Sequence, residues 1–435
     1  MAREIIQVEQ RPPLGMGFAL SLQHLFAMFG ASVLVPILFH VDPSVVLLMN
    51  GIGTLLFILI TKGKAPAFLG SSFAFLAPTF IILGNPINSG HYALALGGFV
   101  IVGIVFMLVA GIIKLFGTGW IDIVMPPAAM GAVIALIGLE LAGTAASGAG
   151  VIGSNIDLRN VIVFIVTLGT AVIGSVMFKK FFSVIPILTA IVVGYLTAII
   201  IDYTWVLDAG AKKLCDFSQF ASLHGLSGIF ISPHFTHPVF QWNAVFVILP
   251  AAIVVIAEHI GHQLVTSKIV ERDLIKDPGL HRTLFADGIS TALSGLVGSV
   301  PTTTYGENIG VMAVTRVYSV WVIGGAAVIS VIIAFIAPIT YVINSIPWAV
   351  IGGVSFLLYG MIAASGIRLL VESRVDYSKS VNLILTSVVL ITGLSGVAVN
   401  INGYGLKGMA LASIVAMLLG LFFYVAEKLN MVNND

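Results

Sequence analysis

Apolar runs of roughly twenty residues recur along the chain, separated by short polar breaks, and a run of that length is what a membrane-spanning helix requires. Full-length candidates begin near Leu14, Ser44, Tyr92, Trp120, Leu158, Ile185, Trp242, Leu284, Ser319, Trp348, Val381 and Leu406. Two further segments break the pattern. Pro66 to Leu83 is interrupted by Gly70-Ser71-Ser72, and Pro301 to Val317 opens on Thr302-Thr303-Thr304-Tyr305-Gly306 before turning apolar. With both included, the pattern predicts an all-α membrane protein of fourteen transmembrane segments.

The two broken segments are the third and the tenth, the same place in each of two sevens. An odd number of spans per repeat inverts the second repeat. The expected organisation is therefore a first seven-span repeat over 1–203, a periplasmic linker over 204–241 and an inverted second repeat over 242–435. Thr302 to Tyr305 is β-branched and aromatic, hence strand-like, and Ser71 to Phe75 is its candidate counterpart. Non-helical backbone at bilayer depth is tolerated only inside protein or beside a wet cavity. Each break would lead into a half-helix whose free N–H groups point at the bilayer centre, ready for carbonyl oxygens or partial negative charge. Small residues also serve plain helix packing in membranes. The matched positions, each after a proline, favour functional breaks.

Composition agrees with lipid as the solvent: 58% of residues are hydrophobic and 9% charged, against about a quarter charged in soluble domains. A formal net charge of +1 offers nucleic acid no basic surface. The single cysteine, Cys215, excludes an intrachain disulfide. No cleavable leader is expected, the first helix acting as its own targeting signal. With the N-terminus in the cytoplasm, all but four of the 20 Lys and Arg fall inside, the exceptions being Arg159, Lys212, Lys213 and Lys407. Both termini are then cytoplasmic.

Ionisable groups within the spans are costly and each asks for a reason. In Ala257-Glu258-His259-Ile260-Gly261-His262, the i,i+4 spacing stacks Glu258 and His262 on one helix face, where they can share a proton. Glu307 follows Gly306 at the start of the second half-helix, where the dipole and free amides suit a carboxylate. Two carboxylates can accept from the ring N–H groups of a pyrimidine while backbone amides donate to its C=O groups. Glu140, on an otherwise apolar helix, is open between a structural interhelical bond and a functional role. Asp287 is expected as an exposed cap near the cytoplasmic edge, and His24 and His259 as polar helix-packing bonds.

The run Gly306-Glu307-Asn308-Ile309-Gly310-Val311-Met312-Ala313-Val314-Thr315-Arg316 resembles the signature of the nucleobase–ascorbate transporter family, and Gln23-His24 resembles its first-helix motif. The similarity runs from about Arg11 to Lys428. The resemblance implies a core domain from spans 1–4 and 8–11 (about 14–116 and 242–338) and a gate domain from spans 5–7 and 12–14 (about 118–203 and 341–430). It implies short antiparallel β-strands in spans 3 and 10 that meet at the substrate. It also implies proton-coupled uptake of uracil across the bacterial inner membrane, because uracil carriers have Glu at position 307 where xanthine and urate carriers tend to have Gln. Carried over, Glu258 and Glu307 bind uracil through their side chains and Phe73 and Gly306 through their backbones. Tyr305, Ala31, Ser355 and Tyr359 line or approach the pocket, and Glu258, His262 and Glu307 handle the proton. Family members are similar in forming homodimers through gate-domain contacts.

Three rival readings are weaker. A purine permease or anion transporter would share the fold but is disfavoured by Glu307. An intramembrane metalloenzyme built on Glu258, His259 and His262 lacks the His-Glu-x-x-His arrangement that sets a base between two ligands. A channel suits interrupted spans poorly. Neither metal nor cofactor is expected, and the partners are uracil, protons, membrane lipid and a second copy of the chain.

Overall fold

The computed structural model describes residues 5–432 apart from 85–86, 154–155, 206–211, 224–225 and 402–403. The chain opens with α1 (Leu14–Phe39) and α2 (Pro43–Ile60), then strand β1 (Leu69–Ser71) and the short α3 (Leu76–Leu83). Next come α4 (Tyr92–Phe116), α5 (Gly119–Val124), α6 (Pro127–Gly148), α7 (Leu158–Met177) and α8 (Pro186–Thr204). The second half holds α9 (Trp242–Ile248), α10 (Ala251–Val270), α11 (Leu280–Val297), β2 (Thr302–Thr304) and α12 (Gly306–Thr315). It ends with α13 (Val320–Ile333), α14 (Ala337–Asn344), α15 (Trp348–Glu372), α16 (Ser380–Leu394), β3 (Ala398–Ile401), β4 (Tyr404–Lys407) and α17 (Gly408–Lys428).

Among the described residues, nine helical stretches are long and apolar enough to cross a membrane. Several expected full-length spans are shorter or more polar. α13 has 14 residues and gives way to α14, and α16 has 15. α11 has 18 but carries His281, Arg282, Asp287 and a row of Ser and Thr. Its start also differs from expectation. Pro278-Gly279 breaks the chain immediately before Leu280, so the helix begins four residues earlier than the apolar pattern suggests.

Two packing groups emerge. α2 runs along α13, α4 along α11, and α1 against α13 and α2, whereas α6 lies along α15, α7 along α8 and α15, and α16 against α6 and α17. Close approach is bought by glycine: a Cβ on Gly103 would strike the backbone of α11, and one on Gly366 the backbone of α6. A hairpin, β3 with β4, pairs Ala398 with Lys407 through Ile401 with Tyr404 and was not expected.

That hairpin explains Glu140. Its Oε2 accepts the N–H of Met409 at 2.8 Å, satisfying an orphan donor in the first turn of α17. Gly408 sits at φ +61°, and a Cβ there would collide with the Glu140 carboxyl. Glu140 is an interhelical cap. Replacing Glu140 with Ala should therefore lower thermal stability in detergent by an amount on the order of 1–3 kcal/mol, the cost of an unsatisfied N–H. Glu140→Gln keeps an acceptor and should recover most of it. Equal melting of Glu140→Ala and the parent chain would refute the cap.

Candidate functional site

β1 and β2 pair antiparallel, Leu69 with Thr304, Gly70 with Thr303 and Ser71 with Thr302. The ladder extends at both ends, since Ser72 N–H donates to Pro301 O at 2.9 Å and Tyr305 N–H donates to Phe68 O at 3.1 Å. β2 begins at the expected Thr302 and ends one residue before Tyr305, whereas β1 sits N-terminal to the expected Ser71–Phe75. Phe73–Phe75 has instead wound into a single helical turn leading to α3. Neither that turn nor α12 has a side-chain cap. The two helical starts follow opposite ends of the three-residue ladder.

Buried side chains fix this pair. Thr54 accepts from Leu69 N–H at 2.9 Å while donating to Asn50 O at 2.8 Å, which ties β1 to α2. Thr291 donates to Thr302 O at 2.8 Å, and Ser290 Oγ lies 2.6 Å from Thr302 Oγ1, which ties β2 to α11. Asn308 Nδ2 meets His24 Nδ1 at 3.0 Å, and Asn308 Oδ1 accepts from Phe68 N–H at 3.4 Å. His24 is thus a packing bond, as expected, but one aimed at the signature half-helix. Tyr305 donates its hydroxyl to Ser71 O at 3.1 Å with its ring flat against Gly70.

The acids fall into two kinds. Asp287 is fully buried, with Oδ2 2.9 Å from His259 Nδ1, and His259 Nε2 lies 2.9 Å from Thr283 Oγ1. The expected exposed cap is overturned: because α11 starts at Leu280, Asp287 stands two turns inside the helix. His259 is the interhelical bond expected of it, and the Asp-Pro-Gly break was the signal that would have revealed its partner. Glu258 and Glu307 are different. Both are half-buried, they lie within electrostatic reach of each other, and among the described residues neither carboxylate has a hydrogen-bond or ion-pair partner in another residue. His262, one turn beyond Glu258, places Nδ1 3.1 Å from Thr304 Oγ1, and a Cβ on Gly306 would lie 3.3 Å from its Nε2.

The remaining expected residues are distributed as follows. Phe73 is half-buried, and its ring stands edge-on to Tyr359 of α15 with centroids 6.4 Å apart. Tyr359 Oη is buried without a hydrogen-bond partner among the described residues. Ser355, one turn earlier, turns its hydroxyl back to Ile351 O at 2.7 Å. Ala31 lies in α1, but its side chain is outside the described residues. His259 and His262 diverge toward different partners, and no three potential metal ligands gather among the described residues. A cavity of about 480 Å3 opens elsewhere, between the segment before α1, Gln23, Thr315 and Phe181.

Two helical starts without side-chain caps and two carboxylates without partners among the described residues stand in this region, with the half-buried Phe73 ring at one of the starts. Such a set suits a small planar ring bearing both C=O and N–H groups.

Comparison with known proteins gives the same direction. Residues 16–402 match the model of the permease family. The chain is 54% identical over 432 residues to the uracil permease of Escherichia coli (strain K12), covering 99% of this chain and 96% of that one. It is 51% identical over 442 residues to the uracil permease of Paenibacillus larvae, covering both chains fully. In fold it is similar to the transmembrane domain of a cyanobacterium bicarbonate transporter, BicA, with a TM-score of 0.65 at 13% identity over 96% of this chain and 100% of that one.

The Tyr305 contact yields a test. Gly70→Ala would drive a methyl into the Tyr305 ring and should cost about 1–3 kcal/mol by overpacking. Gly261→Ala opens onto free space and should be neutral or slightly stabilising, since Ala is the better helix former. Thermal unfolding in detergent compares them, and equal stability of the two variants would refute the placement of Tyr305.

Proposed function

The chain belongs to the permease family, the nucleobase–ascorbate transporter family that its signature resembles, and from that premise we propose that it carries uracil inward across the bacterial inner membrane in symport with protons. The observation that carries this reading is the pairing of two unpartnered carboxylates, Glu258 and Glu307, with two uncapped helix starts at Phe73 and Gly306. Uracil presents two ring N–H groups and two carbonyls. The carboxylates accept from the former, and the backbone amides of Phe73 and Gly306 donate to the latter. Relatives named uracil permease at 54% and 51% identity support the choice of ring.

The architecture we propose has fourteen segments in two inverted repeats, 1–203 and 242–435, joined by the linker 204–241. Its support is the packing: α2 with α13 and α4 with α11 are the same pair under exchange of repeats, and β1 with β2 and α6 with α15 map onto themselves. Spans 1–4 and 8–11 then form the core and spans 5–7 and 12–14 the gate, with Ser355 and Tyr359 presented to the core by the gate. Both termini are cytoplasmic in this reading. Pairing of two copies through the gate is supported by the resemblance and by the low burial of α7, α8 and α17.

Transport follows as alternating access. Two carboxylates facing one neutral ring cannot both hold charge cheaply in a low-dielectric cavity. A proton therefore enters with uracil from outside and leaves through His262 after the core moves against the gate. Substrate and proton stabilise the same occluded state, as linkage requires of a symporter.

Glu258→Gln and Glu307→Gln should each weaken uracil binding at least tenfold, because a donor replaces an acceptor and leaves a buried mismatch of about 1–3 kcal/mol. Five-substituted uracils should compete, while cytosine and purines should not, since a hydrogen-bonding edge rejects altered donors more strongly than an added methyl. Strong competition by xanthine would favour the purine reading instead. In proteoliposomes with a pH gradient, His262→Leu should impair accumulation more than exchange of internal for external uracil. Normal accumulation by that variant would remove His262 from the proton path.

A further inference from the structure

Both acid-bearing helices end the same way. α10 stops at Glu271 and α12 at Arg316, each in the left-handed conformation at φ +55° and +60°. The residue that follows each stop is then held by one segment, residues 5–11, which runs ahead of α1.

On the α12 side the grip is main-chain. Ile6 N–H donates to Arg316 O at 3.1 Å, Tyr318 N–H to Ile6 O at 2.8 Å and Val320 N–H to Val8 O at 2.9 Å, forming a short parallel ladder. Ser319 Oγ donates to Gln10 O at 2.6 Å, and the Arg11 guanidinium lies 5.1 Å above the Trp321 ring. On the α10 side the grip is ionic. Arg272 binds the Glu9 carboxylate through both terminal nitrogens, Nη2 at 2.8 Å from Oε2. The guanidinium holds the Glu9 carboxyl below the usual carboxylate range, so the pair stays charged at neutral pH. Between the two grips, Val8 is fully buried in the cluster that contains Val270 of α10 and Ile309 and Met312 of α12.

We propose that residues 5–11 act as a clamp that sets the spacing of α10 and α12 from their far ends, making Glu9, Arg272 and Val8 positioning residues for Glu258 and Glu307. α12 has ten residues and no side-chain cap at its start. Asn308 ties its first turn to α1 and to the chain before β1, and residues 5–11 tie its far end to α10. Two carboxylates that must meet one small ring need their helices fixed to about half an ångström, which requires supporting contacts outside the site. The clamp supplies them from a segment that touches neither the ring nor the acids. Its consequence for affinity rests on the proposed binding of uracil.

The test uses the full chain with Cys215→Ser as background. Spin labels at Lys268→Cys on α10 and Val314→Cys on α12, both exposed, report the interhelical distance by pulsed electron resonance without any ligand. Glu9→Ala, Arg272→Ala and deletion of residues 2–8 should each broaden a narrow distance distribution, the deletion most. In unlabelled protein, calorimetry should show uracil Kd raised about threefold by the single substitutions, within the range of a solvent-exposed ion pair, and at least tenfold by the deletion. The exchange Glu9→Arg with Arg272→Glu should restore Kd. Loss of folded protein lowers the number of sites and leaves Kd unchanged, so a Kd shift is not explained by damage. An unchanged distribution in every variant, or an unchanged Kd in every variant, overturns the clamp. A responsive distance in a parent chain that does not bind uracil overturns the uracil reading and leaves the clamp standing.

Discussion

The interaction on which the rest depends is the three-residue antiparallel pairing of β1 with β2. Backbone polar groups at bilayer depth must find partners within the protein, and a broken helix leaves several without one. Here two broken spans satisfy each other. The pairing lets each half-helix start inside the bundle with its first amides free, which a continuous helix never permits. It also couples distant parts of the chain, because Leu69 and Thr304 cannot pair unless α2, α11 and α12 are all in place around them.

That dependence accounts for the density of buried polar side chains in the same region. Thr54, Ser290, Thr291 and Asn308 each spend a hydrogen bond on the strands or their flanks. Glycine supplies the remaining space: Gly53 admits Ser290, and Gly70 admits the Tyr305 ring. The polar character that makes α11 fall short of an apolar span is therefore the support of β2. Hydropathy alone reads it as a defect.

The sequence made the broken spans legible because Gly70-Ser71-Ser72 interrupts one apolar run, Thr302-Thr303-Thr304 after Pro301 opens the other, and the breaks fall at matched positions. The acids at 258 and 307 were legible as ionisable residues inside spans, Glu258 one turn from His262 and Glu307 at a half-helix start. Asp287 was misread because the start of its helix was taken from hydrophobicity when Pro278-Gly279 marks it. The β3–β4 hairpin went unnoticed although Asn402-Gly403 between two alternating runs is a turn signal in sequence. Glu140 could not be resolved from one helix, since its partner, the N–H of Met409, lies 269 residues away. The partner of His24, Asn308, was hidden for the same reason, since it lies 284 residues away.

The contrast between paired and unpaired acids carries the last step. A buried carboxylate is tolerable when a counter-charge and hydrogen bonds accompany it. Asp287 Oδ2 has His259 Nδ1 at 2.9 Å and the Thr303 hydroxyl at 3.4 Å, while its Oδ1 has no hydrogen-bond partner among the described residues. Nothing comparable accompanies Glu258 or Glu307, although they stand on neighbouring helices of the same bundle and Asp287 is within electrostatic reach of Glu258. The fold thus gives Asp287 neighbours on one of its oxygens and gives Glu258 and Glu307 none, while the Thr304 hydroxyl lies against His262. The open pair has carboxylate oxygens to offer a bound molecule. On the proposed reading those oxygens take a proton and the N–H edge of a neutral ring, and each lowers the cost of the other's burial. Coupling then needs no separate device: the site is well satisfied when both are present and poorly satisfied when either is missing.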